Sequence, residues 1–105
     1  MSTARRKTCA LVLCAPGTPA FATAKKYLES ELRQKHEAYA YLLDDAVTGV
    51  SDPLLQQLRV RGLRLYACGY GAQRRGLPTG HEAIFSGLGM LHDLILHTDE
   101  FRSFN

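Results

Sequence analysis

Thr8 to Ala15 reads TCALVLCA, a continuous run of small, mostly apolar residues with no charge in it. A half-exposed strand alternates apolar and polar positions, and this run does not. It reads as a strand buried on both faces, the kind found inside a parallel sheet. Pro16-Gly17-Thr18-Pro19 stops it. Thr18 suits an N-cap and Pro19 the first helical position. From Ala20 to Lys35, Phe21, Ala24, Leu28 and Leu32 recur at near-helical spacing. Lys25, Lys26, Glu29, Glu31 and Arg33 take the solvent side.

A second strand follows at Glu37 to Leu43. Ala38, Ala40 and Leu42 lie on one face, and Tyr39, Tyr41 and Leu43 on the other. Val47 to Asp52 reads as a loop. Pro53 opens a short helix through Val60, carrying Leu54, Leu55 and Leu58, and Gly62 stops it. Leu63 to Cys68 is a third strand. Gly69-Tyr70-Gly71 reads as a tight turn, and Ala72 to Arg75 as a helical turn ended by Gly76. After the loop Leu77 to His81, Ala83-Ile84-Phe85 forms a short fourth strand. Ser86-Gly87 opens a helix over Leu88 to His97, with Leu88, Leu91, Leu94 and Ile95 apolar. Phe101 to Phe104 supplies a last strand. Strands alternate with helices. The expected class is therefore α/β: a three-layer α/β/α sandwich around a mostly parallel sheet of about five strands.

With 105 residues, one domain spanning 1–105 is expected, with residues 1–7 as a flexible basic tail. A hydrophobic share of 46% against 22% charged excludes a disordered chain. No stretch approaches the roughly 20 apolar residues of a membrane span. The apolar run after Arg5-Arg6-Lys7 is short for a secretory signal core. The net charge of +3 is mild, and no basic helix accompanies those three cations, so direct nucleic-acid binding is not expected. Cys9, Cys14 and Cys68 make an odd number with no CxxC and no Cys-His ligand spacing. That pattern predicts a reducing, cytoplasmic setting and no structural metal.

Open α/β sheets bind ligands beyond the carboxyl ends of their strands. Three such ends carry suggestive chemistry: Cys14 to Thr18, Leu43-Asp44-Asp45, and Cys68-Gly69-Tyr70-Gly71. Cys68 is the most informative. A sulfur between a buried strand and a short helical turn meets free backbone N–H groups and the positive end of the helix. Arg74 and Arg75 add positive charge one to two turns on. These surroundings favour a thiolate nucleophile over a thiol. Gly69 and Gly71 permit positive φ and close approach by a second reactant. Packing alone is the competing reading of Cys68. Cys14 and Cys9 read as core cysteines, although Cys14 also ends a strand. Gly17-Thr18 resembles a phosphate loop only weakly, and helix capping is its plainer role. Asp44 and Asp45 form a carboxylate pair or a solvated turn. His81, in the loop after the glycine turn, is a candidate base for Cys68. His36, His92 and His97 read as structural or solvated.

The segment from Ala67 to Leu77, with Cys68 followed by Arg74-Arg75-Gly76, resembles the signature of the DsrE/DsrF/TusD-like sulfur-relay family. Phe85 to Leu94, containing Gly87-Leu88-Gly89, followed by Thr98 to Phe101, resembles the family's closing helix and last turn. The likeness runs in order along nearly the whole chain. It implies a DsrEFH-like α/β sandwich assembled as a trimer or hexamer. It also implies that Cys68 accepts sulfane sulfur as a persulfide and passes it to a partner protein, with no metal or organic cofactor. Gly69, Tyr70, Gly71, Arg74 and Arg75 would support that sulfur, and the partners would be sulfur-donor and sulfur-acceptor proteins. The alternatives are a non-catalytic oligomeric interaction subunit and, third, a small-ligand or phosphate binder at Gly17-Thr18.

Overall fold

The computed structural model describes residues 5–105. In chain order the elements are β1 (Lys7–Val12), α1 (Pro19–Arg33), β2 (Glu37–Leu42), a 3-10 helix (Asp44–Gly49), α2 (Pro53–Val60), β3 (Arg64–Cys68), α3 (Gly69–Arg74), β4 (Ile84–Ser86), α4 (Leu88–His97) and β5 (Glu100–Phe104). The five strands lie in the order β4-β3-β2-β1-β5, and every neighbouring pair is parallel. The expected α/β sandwich is present, with a sheet that is wholly parallel.

The helix starts follow from local chemistry. Thr18 caps α1: its hydroxyl accepts the Phe21 N–H at 3.3 Å and donates to the Ala15 carbonyl at 2.7 Å. Asp52 caps α2, one carboxylate oxygen accepting the N–H groups of Leu54 and Leu55 at 2.9 and 3.1 Å. Lys25 of α1 holds the other oxygen at 2.9 Å and so ties the two helices together. Burial opposes the Asp52 charge, but the Lys25 bond and the two N–H groups outweigh it and hold the carboxyl below its ordinary value.

Alternation along the strands gives the sheet two unlike faces. Ala10, Val12, Ala38, Ala40, Leu42, Leu65 and Ala67 pack under α1 and α2 with Phe21, Leu28, Leu55 and Leu58. Cys9, Tyr41, Tyr66 and Cys68 point the other way, toward Val47 of the 3-10 helix, Ala72 of α3 and Leu94 of α4. Of the apolar residues on α4 only Leu94 is buried; Leu88, Ile95 and Leu96 stay 58%, 48% and 63% exposed.

Three expectations change. β1 ends at Val12, short of Ala15. Leu13 N–H still reaches the Phe104 carbonyl at 2.9 Å, but β5 stops there and offers no further partner. The segment expected as loop from Val47 begins inside the 3-10 helix, which is too short to show a period in sequence. The basic tail is shorter than residues 1–7. Lys7 belongs to β1, the Arg6 carbonyl accepts the Glu37 N–H, and the Arg6 guanidinium pairs with Glu100 at 3.2 Å. Residues 1–4 of that expected tail lie outside the described residues.

Candidate functional site

β3 runs directly into α3, and Cys68 is both the last residue of the strand and the N-cap of the helix. Its Sγ accepts the Gly71 N–H at 3.3 Å. The sulfur stands where a serine, threonine or aspartate oxygen usually caps a helix. An N–H aimed at sulfur from a helix's first turn stabilises negative charge on it.

Gly69 and Gly71 do not form a separate turn, and neither adopts positive φ; among the described glycines only Gly17, Gly62 and Gly76 do. Both belong to the first turn of α3, because the capping sulfur starts the helix immediately. The use of Gly71 is closeness instead. A Cβ there would sit 3.3 Å from the Val47 methyl and 3.6 Å from the Cys68 Cβ. Gly76, at φ +66°, ends the helix as expected.

A cavity of about 690 Å³ opens at this carboxyl end of the sheet. Leu43 and Asp44 line it from the end of β2, and Cys68, Tyr70 and Gly71 from the β3–α3 junction. Arg74 and Arg75 line it from the end of α3, and Gly87 and Leu88 from the start of α4. Cys68 is only 5% exposed, and the cavity is its access to small reactants. Five of the six residues selected from the sequence therefore meet in one place. Gly69 is the exception; a Cβ there would face Ser86 and Phe85 instead.

The two arginines are not simply aimed at the sulfur. Arg75 donates to Asp45 at 3.1 Å and to the Gly71 carbonyl at 3.3 Å, so part of its charge is matched by a carboxylate. The Arg74 guanidinium lies 5.7 Å from the centre of the exposed Tyr70 ring. Asp44 starts the 3-10 helix at φ +53°, a left-handed conformation that aspartate tolerates better than most residues.

Sequence reasoning missed Tyr41 and Ser86. The buried Tyr41 hydroxyl donates to the carbonyls of Gly87 at 3.0 Å and Ser86 at 3.3 Å, fixing the β4–α4 corner of the cavity. Burial pushes this phenol above its ordinary value, outweighing the opposing effect of its bond to Ser86, and charge on Cys68 adds to the rise, so it remains a donor. Ser86 pairs in register with Cys68, and its buried Oγ has no hydrogen-bond partner. The alternation of β2 placed Tyr41 on a face; only the strand register shows which carbonyls it meets.

The remaining candidates fall away from the cavity. Burial pushes the Cys9 thiol up to about 12, which keeps it protonated and inert. Cys14 is half-buried against the opposite, α1–α2 core. His81 is exposed and does not line the cavity. The Thr18 hydroxyl is spent on the helix cap and on Ala15.

No protein-family model matches the chain, and no curated protein matches it. Solved structures do. The ychN protein from E. coli aligns with a TM-score of 0.79 at 16% identity, covering 96% of this chain and 100% of its own. A conserved protein of unknown function from Bacteroides thetaiotaomicron aligns with a TM-score of 0.76 at 16% identity, covering 93% and 94%. This chain shares their fold. At that identity the likeness speaks to architecture, and the chemistry rests on the residues around Cys68.

Proposed function

We propose that this chain is a cytoplasmic sulfur-carrier or sulfurtransferase subunit of the DsrE/TusD-like kind. Cys68 takes up sulfane sulfur as a persulfide and hands it to a partner protein. One observation carries the reading: the Cys68 sulfur receives the Gly71 N–H at 3.3 Å on the wall of a cavity of about 690 Å³.

The Cys68 thiolate attacks the outer sulfur of a donor persulfide, R–S–SH. A new S–S bond forms, the donor's S–S bond breaks, and the donor leaves as R–S⁻. The acceptor thiolate then attacks the outer sulfur now on Cys68, and the Cys68 thiolate is regenerated. No external oxidant or reductant is consumed. The Gly71 N–H supports the anion at both ends of the cycle, and Gly71 keeps that N–H close. Arg74 and the partly neutralised Arg75 border the path of an incoming acidic partner. The exposed Leu88, Ile95 and Leu96 of α4 support a second copy of the chain at the cavity's edge, as in a trimer or hexamer.

Incubating the protein with a sulfane donor should add the mass of one sulfur atom, and Cys68→Ser should take up none. Equal loading of the two proteins, read by intact-mass spectrometry, would refute the proposal. A non-catalytic interaction subunit is the second reading, favoured by the low exposure of Cys68 beside the exposed apolar face of α4. It predicts a stable oligomer whose Cys68 alkylates as slowly as the buried Cys9.

A further inference from the structure

At the amino end of the sheet, opposite the Cys68 cavity, a second cavity of about 550 Å³ lies where α1 runs into β2 and α2 into β3. Arg5, Lys35, Arg61 and Arg64 line it with His36 and a single carboxylate, Glu37. Four permanent cations against one acid is an excess of three, as large as the excess of the entire chain.

These cations are poorly neutralised. Among the described residues, no carboxylate pairs with Arg5, Lys35 or Arg64, and Arg61 reaches only Glu29, at 3.8 Å. The carboxyl ends of α1 and α2 point here, each supplying about half a negative charge. Together they offset roughly one of the four cations, which leaves like charges crowded around open space.

Backbone geometry fixes where one of these cations stands. Lys35 sits at φ +65°, a left-handed position that closes α1 and that glycine normally fills. A lysine there carries backbone strain with no compensating ion pair on its ammonium. Nearby, the Arg5 guanidinium is tethered by its Nε to the Lys35 carbonyl at 3.1 Å.

We infer that this cavity binds a small ligand carrying a multiply charged phosphate group, such as a diphosphate. Guanidinium forks match phosphate oxygens two at a time, and a point-charge lysine completes the set. A monocarboxylate would leave most of the positive charge unmatched. The hollow is half open, with all four cations exposed, and its volume of about 550 Å³ is that of a small-molecule site. The site is independent of the sulfur chemistry: along β3, Arg64 and Cys68 are about 13 Å apart.

Calorimetric titration with pyrophosphate at low ionic strength tests this. Saturable one-to-one binding is expected. Arg64→Ala and Lys35→Gly should each weaken it about tenfold, and Cys68→Ser should leave it unchanged. Lys35→Gly also separates binding from folding, because glycine suits φ +65° and the melting temperature should hold or rise. Absence of saturable binding would overturn the inference, as would wild-type affinity in both cavity variants. Tighter binding of a single-stranded oligonucleotide than of pyrophosphate would overturn the small-ligand assignment.

Discussion

Under α1 and α2, Phe21, Leu28, Leu42, Leu55 and Leu58 are all but inaccessible to solvent, and the buried side chains of that face are apolar apart from Thr8 and Glu31, which bonds His36 at 2.8 Å. Across the sheet, Tyr41 and Cys9 are as deeply buried, yet Leu11, Tyr39, Leu43, Met90, Leu91 and Phe101 are only half covered. The covering elements explain the contrast. A 15-residue and an 8-residue helix roof the first face, whereas α3 has 6 residues and α4 buries one leucine. The first face is the more nearly sealed core, with Cys14, Tyr27, Leu32 and Phe104 partly buried at its margin. The second keeps its polar and thiol groups beside a cavity, and that is where chemistry has room.

The largest effect should come from the more nearly sealed face. Phe21→Ala removes a ring packed between α1 and the sheet, and should cost about 3–5 kcal/mol by urea unfolding. A loss no greater than that of an exposed α4 substitution would erase the distinction between the faces.

The pH dependence sharpens the contrast from the other side. Burial raises the thiol of Cys9 from 9.0 to about 12 and also raises the phenols of Tyr39 and Tyr41. On the first face it raises the Tyr27 phenol to about 12 as well, so the two faces are separated by the Cys9 variant. A raised acid keeps its proton in the fold after the unfolded chain has lost it. The stability it supports is complete below pH 9 and is lost as pH rises from 9 toward 12. Each such group contributes a slope of about 1.4 kcal/mol per pH unit. Unfolding midpoints should hold level from about pH 8 to pH 9 and fall from there to about pH 11, and Cys9→Ala should remove about one group's share of that fall. An identical slope in that variant would mean this face does not set the alkaline limit.

The smallest effect belongs to the half-covered side. Leu96→Ser on α4 should change the stability of the isolated chain by less than about 0.5 kcal/mol. The same substitution should lower the assembled fraction in sedimentation if a second copy rests on α4. Strong destabilisation of the monomer would show that α4 is held by contacts within its own chain.

Much of this was legible before any coordinates. Thr18-Pro19 and Pro53 announce their helices because caps and first-turn prolines act within a few residues. Cys68 could be placed at a strand end because the apolar run stops there and glycines follow. The role of those glycines was less legible: whether Gly71 bends the chain or only makes room depends on Val47, from a distant segment. The direction of Arg75 was equally hidden. It turns to Asp45, 30 residues away, a pairing that no local pattern encodes. The two carbonyls bonded by Tyr41 lie 45 and 46 residues further along the chain and follow from register alone.

Near-neighbour chemistry by itself determined the succession of strands and helices, the parallel character of the sheet and the unlike chemistry of its two faces. Those properties follow from alternation, capping and breaker residues, all read within one or two turns. Tertiary structure decided the strand order β4-β3-β2-β1-β5, which sets the ends of β2, β3 and β4 side by side and brings Asp44, Cys68 and Gly87 around one cavity. It also decided that the cations before β1, β2 and β3 converge at the other end. Strand order and register are chosen by packing between segments far apart in the chain, and only the folded whole contains that information.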